Sequence, residues 1–189
     1  MNLEKAIKIV ASRANSFEEL MISGKNWVNK LEELGVLKPQ MKILDFGAGV
    51  GRFSINLSRY NVTAIDRNDY MVEILKNNSI EVYQSEDLTP VLGNRFDLVI
   101  AMFVFQHIGR KKVEKILKQI KQVSNSILFT LPTEYKSESY KSQSEGKNEV
   151  HTESEVSYVY TEKEIKDLFK GYKLERLNVK NENVFLATI

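Results

Sequence analysis

Residues 42–51, Lys-Ile-Leu-Asp-Phe-Gly-Ala-Gly-Val-Gly, constrain the fold of this chain more than any other stretch. A short apolar strand runs into glycines at positions 47, 49 and 51, and residues 51–59 read as a helix leaving the turn. Glycine is needed where a chain reverses sharply or where its backbone must approach a ligand closely. Beyond the turn the chain alternates. Strands read at 62–65, 80–83, 96–103 and 126–131, and helices at 69–76 and 111–123. The strand at 96–103 is apolar except for Asp97 rather than alternating. Continuous apolar strands interleaved with helices argue for a parallel sheet covered on both faces.

Two helices precede this core within residues 1–38. Leu3, Ile7, Val10 and Ala11 share one helical face over residues 3–13. Ser16 and Glu19 form a capping pattern ahead of a second helix carrying Leu20, Met21, Trp27, Val28, Leu31 and Leu34, which Gly35 and Pro39 stop. Residues 133–160 open with a polar, charged stretch almost free of aliphatics. They read as a surface insertion or as a lid over a site. Thr161 and Glu164 cap a helix over 161–170, and strands at 174–179 and 184–189 flank a turn at Asn181-Glu-Asn. One strand of that hairpin is therefore antiparallel. The 189 residues are expected to form one domain.

Composition excludes several classes. There are 27 basic and 25 acidic residues, so a polybasic nucleic-acid surface is not expected. There is no cysteine, which removes disulfides, thiolate metal sites and cysteine nucleophiles. Two histidines, His107 and His151, are too few for an ordinary zinc site, so no metal is expected. The longest apolar run, residues 98–105, has the length of a strand and not of a membrane span. With no secretory signal in residues 1–13, a soluble, cytoplasmic protein without membrane contact is expected.

Two acids sharpen the glycine turn. Asp66 ends the second strand about twenty residues after it, where a carboxylate in doubly wound folds accepts both ribose hydroxyls of an adenosine ligand. The competing role is helix entry, beside Asn68-Asp69. Asp45 precedes Phe46-Gly47, where it would repel a pyrophosphate, and Arg52 stands where a dinucleotide fingerprint has its third glycine. The turn suits an adenosine ligand without phosphates. A cation bearing an ammonium and a sulfonium fits it best.

These residues resemble class I S-adenosylmethionine-dependent methyltransferases of the small-molecule type. The segment from Asp45 to Gly51 matches that family's first motif, and Asp66 its ribose-binding acid. Ser85-Glu86-Asp87-Leu88 matches the adenine-binding stretch, and Phe96 to Ala101 the fourth motif. Phe105-Gln106-His107-Ile108 resembles the segment after it. The likeness covers roughly residues 41–189. It departs at Gln84, where many relatives carry aspartate. Adenine recognition then passes to Glu86, to Asp87 or to a backbone carbonyl. The resemblance implies a Rossmann-like doubly wound sheet of seven strands, order 3-2-1-4-5-7-6, with the seventh antiparallel. S-adenosylmethionine, leaving as S-adenosylhomocysteine, would lie at the carboxyl ends of the first and fourth strands. Gly47, Ala48 and Gly49 would approach its methionine part, Asp45 would favour its ammonium, and Arg67 would lie beside the adenine. Ala101 and Met102 would line the wall near the sulfonium or simply fill the core.

His107 is the candidate base, because a neutral imidazole suits proton removal; packing at a strand–helix corner is its other reading. His151, Tyr158 and Tyr160 are candidates to close over the acceptor, or ordinary edge residues. Trp27 covers the cofactor or packs its helix onto the sheet. Without cysteine, the usual covalent route to cytosine C5 methylation is excluded. Residues 101–104, Ala-Met-Phe-Val, are not the Asp/Asn-Pro-Pro-aromatic motif of adenine amino methylation. A small-molecule acceptor attacking through oxygen or nitrogen is expected. The alternatives are a cofactor-binding accessory protein without catalysis and a nicotinamide-dependent oxidoreductase. The acceptor's identity and the oligomeric state stay open.

Overall fold

In a computed structural model of the chain, the residues described are 3, 16–131, 142–143, 149–151, 156–179 and 182–189. All but the first residue of the helix expected over 3–13, and the hairpin tip at 180–181, lie outside them, as do most of residues 133–155.

Helix α1, Phe17–Glu33, starts where Ser16 Oγ accepts the Glu19 amide at 3.1 Å. Strand β1, Lys42–Phe46, follows, buried over its last four residues. Strand β2, Asn61–Asp66, leads into α2, Asp69–Asn77, whose N-cap Asn68 accepts the Tyr70 and Met71 amides. Strand β3 is Glu81–Gln84 and β4 is Leu98–Ala101. Helix α3, Arg110–Val123, buries Val113, Ile116, Leu117, Ile120 and Val123, and strand β5, Ser126–Thr130, comes next. Three short strands, β6 Ser142–Gln143, β7 Glu149–His151 and β8 Val156–Tyr158, pair antiparallel in a small sheet of their own inside the stretch read as an insertion. Helix α4, Glu162–Leu168, begins with the expected capping box of Thr161 and Glu164. The chain ends in β9, Lys173–Val179, and β10, Glu182–Thr188.

The main sheet has the order β3-β2-β1-β4-β5-β10-β9. Strands β1, β2, β3 and β4 pair in parallel, and β10 runs antiparallel to both β5 and β9. This is the expected seven-stranded order 3-2-1-4-5-7-6, with β10 as the antiparallel seventh strand. The chain divides into two compact units, residues 1–100 and 101–189. In the first, Leu20, Val50 and Met71 form one buried cluster, and Ala48, Ala64 and Leu75 another. In the second, the Phe129 ring stacks on Phe169 at 4.1 Å and on Phe185 at 5.4 Å.

Two elements differ from the sequence reading. Residues 51–59 form successive turns, not a regular helix. The Ser54 amide is taken by the Asp45 carboxylate, and Asn56 Nδ2 donates to the Arg52 carbonyl at 2.8 Å, so side chains occupy groups a helix would use. Strand β4 stops at Ala101, short of the expected residue 103. Phe103 has a left-handed backbone, φ 62°, and its amide donates to Thr130 Oγ1 at 2.6 Å. That conformation cannot continue a strand.

Candidate active site

The glycine turn is held from beneath by β2. Gly47 and Ala48 donate their amides to the Ile65 carbonyl at 2.8 and 3.1 Å. Gly47, Gly49 and Gly51 have φ of 75°, 56° and 91°, a region that side chains enter only with strain. The Gly49 amide donates to Asp66 Oδ2 at 2.8 Å, and the Asn68 amide donates to Oδ1 at 2.9 Å. Asp66 thus ties the turn to the start of α2 and serves helix entry as well. A carboxylate oxygen takes two hydrogen bonds, so each still has capacity for a hydroxyl.

Asp45 lies beneath this turn and is only 2% exposed. Its Oδ2 accepts from the Ser54 amide at 3.1 Å and from Ser54 Oγ at 2.5 Å. Burial pushes its pKa up to about 6, the Ser54 hydrogen bonds oppose the rise, and the Asp66 charge adds to it. Two carboxylates therefore act on each other at one glycine turn, one of them desolvated. A ligand bringing positive charge relieves that arrangement, and a pyrophosphate aggravates it.

The adenine-loop candidates follow β3. The Ser85 amide donates to the Asp66 carbonyl at 3.0 Å. The Asp87 amide donates to Ser85 Oγ at 3.2 Å, while Asp87 Oδ1 accepts the Thr89 amide at 3.0 Å and caps a single 3-10 turn, Thr89–Val91. Leu88 is fully buried and anchors the loop, with Glu86 exposed beside it. Arg67 is exposed after β2. Trp27 meets Phe53 edge-on at 6.3 Å, which accords with the packing role.

Residues from Ala101, the last of β4, onward belong to the second unit. Ala101 and Met102 are buried, at 0% and 5% exposure. Phe103 is pinned by Thr130 as described. A 3-10 turn, Phe105–His107, leaves His107 exposed, with its Nε2 3.2 Å from Gln106 Nε2. Tyr160 is sunk in the core at 1% exposure. Its hydroxyl donates to the Ile108 carbonyl at 3.4 Å, and burial pushes its pKa up to about 12, so it holds the fold rather than moving protons. Tyr158, half-buried at the end of β8, lies against Gly109: a Cβ placed there would be 3.4 Å from the Tyr158 hydroxyl. His151 stands in β7 opposite Val156. The expectation for its side chain lies outside the described residues.

Ser54, Asn68 as a cap, and Thr130 escaped the sequence reading as parts of this arrangement. The signal for Ser54 was a small hydroxyl between the apolar Phe53 and Ile55. Among the described residues, no group of three or more His, Asp or Glu could hold a metal ion, and no helix is long and apolar enough to cross a membrane.

Residues 19–179 match a family model described as a methyltransferase domain. A probable S-adenosyl-L-methionine-dependent methyltransferase TehB of Haemophilus influenzae is 25% identical over 145 residues, covering 72% of this chain and 48% of that protein. The chain thus spans about half the length of the curated relatives it matches. Among solved structures, an S-adenosylmethionine-dependent methyltransferase from Clostridium acetobutylicum superposes with a TM-score of 0.67 at 13% identity, over 98% of this chain and 96% of that one. The magnesium protoporphyrin IX methyltransferase of Synechocystis, with bound S-adenosylmethionine, gives 0.65 at 16% identity, over 96% and 88%.

Proposed function

The chain belongs to the methyltransferase-domain family, and from that premise we propose that it transfers a methyl group from S-adenosylmethionine to an oxygen or nitrogen of a small-molecule acceptor. The observation that carries this reading is the pair Asp45 and Asp66 at the glycine turn. A buried carboxylate beside a second carboxylate favours a cationic ligand over a phosphorylated one.

Each residue then has a role. Asp66 accepts the ribose hydroxyls with the lone pairs its two backbone amides leave. Asp45 attracts the ammonium. Gly47, Ala48 and Gly49 let the backbone approach the methionine part. Glu86, Asp87 and Arg67 flank the adenine. Ala101 and Met102 exclude water where the methyl emerges. When bound, S-adenosylmethionine supplies an activated methyl on a sulfonium leaving group, so the chain's main tasks are alignment and desolvation. His107 takes the acceptor's proton where the acceptor needs one removed, and Tyr158 contacts the acceptor from β8.

Calorimetry with S-adenosylmethionine, S-adenosylhomocysteine and NAD tests the cofactor. Binding of both sulfur ligands but not NAD is expected, and NAD binding without either sulfur ligand would overturn the reading. An acceptor screen that follows methyl release then separates an enzyme from a binding-only accessory protein. With the acceptor that screen identifies, His107→Ala should lower turnover about 100-fold, the lower end for a lost general base, while S-adenosylhomocysteine affinity stays within about twofold. Full activity in that variant would make His107 structural.

A further inference from the structure

We infer that Ser54 is a positioning residue for cofactor binding, acting through Asp45: its hydroxyl and amide hold one carboxylate oxygen and keep the group ionised where the ligand's ammonium arrives. The inference rests on the cofactor reading above.

The geometry is specific. Ser54 is fully buried, and both of its donors converge on Asp45 Oδ2, at 3.1 and 2.5 Å. A charge-assisted hydrogen bond to a buried carboxylate is about twice as strong as a neutral one. It opposes the desolvation that otherwise neutralises the acid. Two donors on a single oxygen also fix the plane of the carboxyl group and leave Oδ1 for the ligand. Within the turns at 51–59 the Ser54 amide is spent on Asp45 instead of on a backbone carbonyl. Among the described residues, no cation contributes to holding Asp45 ionised. The flanking strand β4 is apolar throughout, the buried face of α2 is Met71, Val72 and Leu75, and the charged neighbour acting on Asp45 is Asp66, which raises its pKa. Arg52 directs its guanidinium to Ser23 Oγ at 2.7 Å and over the Phe53 ring.

The sign of the effect follows. A protonated Asp45 does not attract an ammonium, so affinity falls as pH drops through about 6, where burial has pushed the group. Removing the Ser54 hydroxyl destabilises the charged form and moves that midpoint upward.

The test is the pH profile of S-adenosylhomocysteine affinity between pH 5 and 8.5, by calorimetry on the full chain. For Ser54→Ala the midpoint should rise by about one pH unit, so that affinity falls about threefold at pH 6.5 and is unchanged at pH 8.5. Ser54→Cys keeps the volume but donates weakly, and should shift the midpoint the same way in case the alanine variant folds poorly. In an Asp45→Asn background, Ser54→Ala should leave the profile flat. A midpoint that stays put in both single variants, while the parent binds normally, overturns the role of Ser54 alone. A parent chain that fails to bind at every pH overturns the cofactor reading and this inference with it.

Discussion

Asp45→Asn should stabilise the ligand-free chain at pH 7.5 while weakening its hold on S-adenosylmethionine, two effects of opposite sign from one substitution. The folded chain keeps a carboxylate whose pKa burial has raised from 3.8 to about 6. Between those values the folded state binds a proton that the unfolded state has lost. This group's contribution to stability is therefore fully present below about pH 4 and is lost as pH rises through about 6. At pH 7.5 the ionised acid costs about 3 kcal/mol, from roughly 1.4 kcal/mol for each tenfold shift in acidity. Asparagine carries no charge to desolvate, keeps an oxygen for the Ser54 donors, and ends the repulsion with Asp66. The variant should unfold at higher urea than the parent at pH 7.5, with the gap closing at pH 4. Its affinity for S-adenosylmethionine should fall about 10- to 100-fold, the loss of one charge-assisted contact. An equal urea midpoint at pH 7.5 would show that Asp45 bears no desolvation cost, and an unchanged affinity would remove it from the ligand.

Gly24→Ala should destabilise the chain although alanine is the better helix former. In isolation the change favours a helix by about 1 kcal/mol. Here a Cβ on Gly24 would lie 2.0 Å from the Arg52 carbonyl oxygen and 2.6 Å from Asn56 Nδ2. The first obstacle is backbone and cannot rotate away. Helix α1 must instead shift off residues 51–59, and the bonds from Asn56 Nδ2 to the Met21 carbonyl and from Arg52 to Ser23 Oγ go with it. Overpacking of this kind costs about 3 kcal/mol, which leaves roughly 2 kcal/mol of net destabilisation. Because those residues include Ser54, cofactor affinity should fall too. Gly93→Ala is the control: nothing lies within 4 Å of a Cβ there and φ is not positive, so it should be neutral or slightly stabilising. Urea midpoints for the two variants check this. A Gly24→Ala chain as stable as Gly93→Ala would show that α1 has room to move.

Much of the fold was legible because it rests on local rules. Helix starts at Ser16 and Thr161 follow from side chains that satisfy amides within the next turn. The apolar face of α3 follows from its 3.6-residue period, and the antiparallel last strand follows from the final hairpin, while the order of the sheet was implied only by the family resemblance. The glycine turn and Asp66 were legible for the same reason, being contiguous strand-end chemistry. The end of β4 was not. Residues 101–105 are apolar enough to extend it, but Thr130, from another strand, takes the Phe103 amide and turns the backbone. Residues 51–59 failed likewise, since nothing in their own spacing says that Asp45 claims an amide there. Tyr160 carries no sign in its own sequence that its hydroxyl is buried against Ile108.

The sequence by itself determined the class of fold, the glycine turn and the acids beside it, since periodicity, capping and turn chemistry act between residues a few places apart. Only the tertiary structure decided that Asp45 is desolvated, that Ser54 holds it and that Gly24 must lack a side chain. Each depends on how closely atoms from distant segments approach, and both desolvation and steric overlap change steeply over fractions of an ångström.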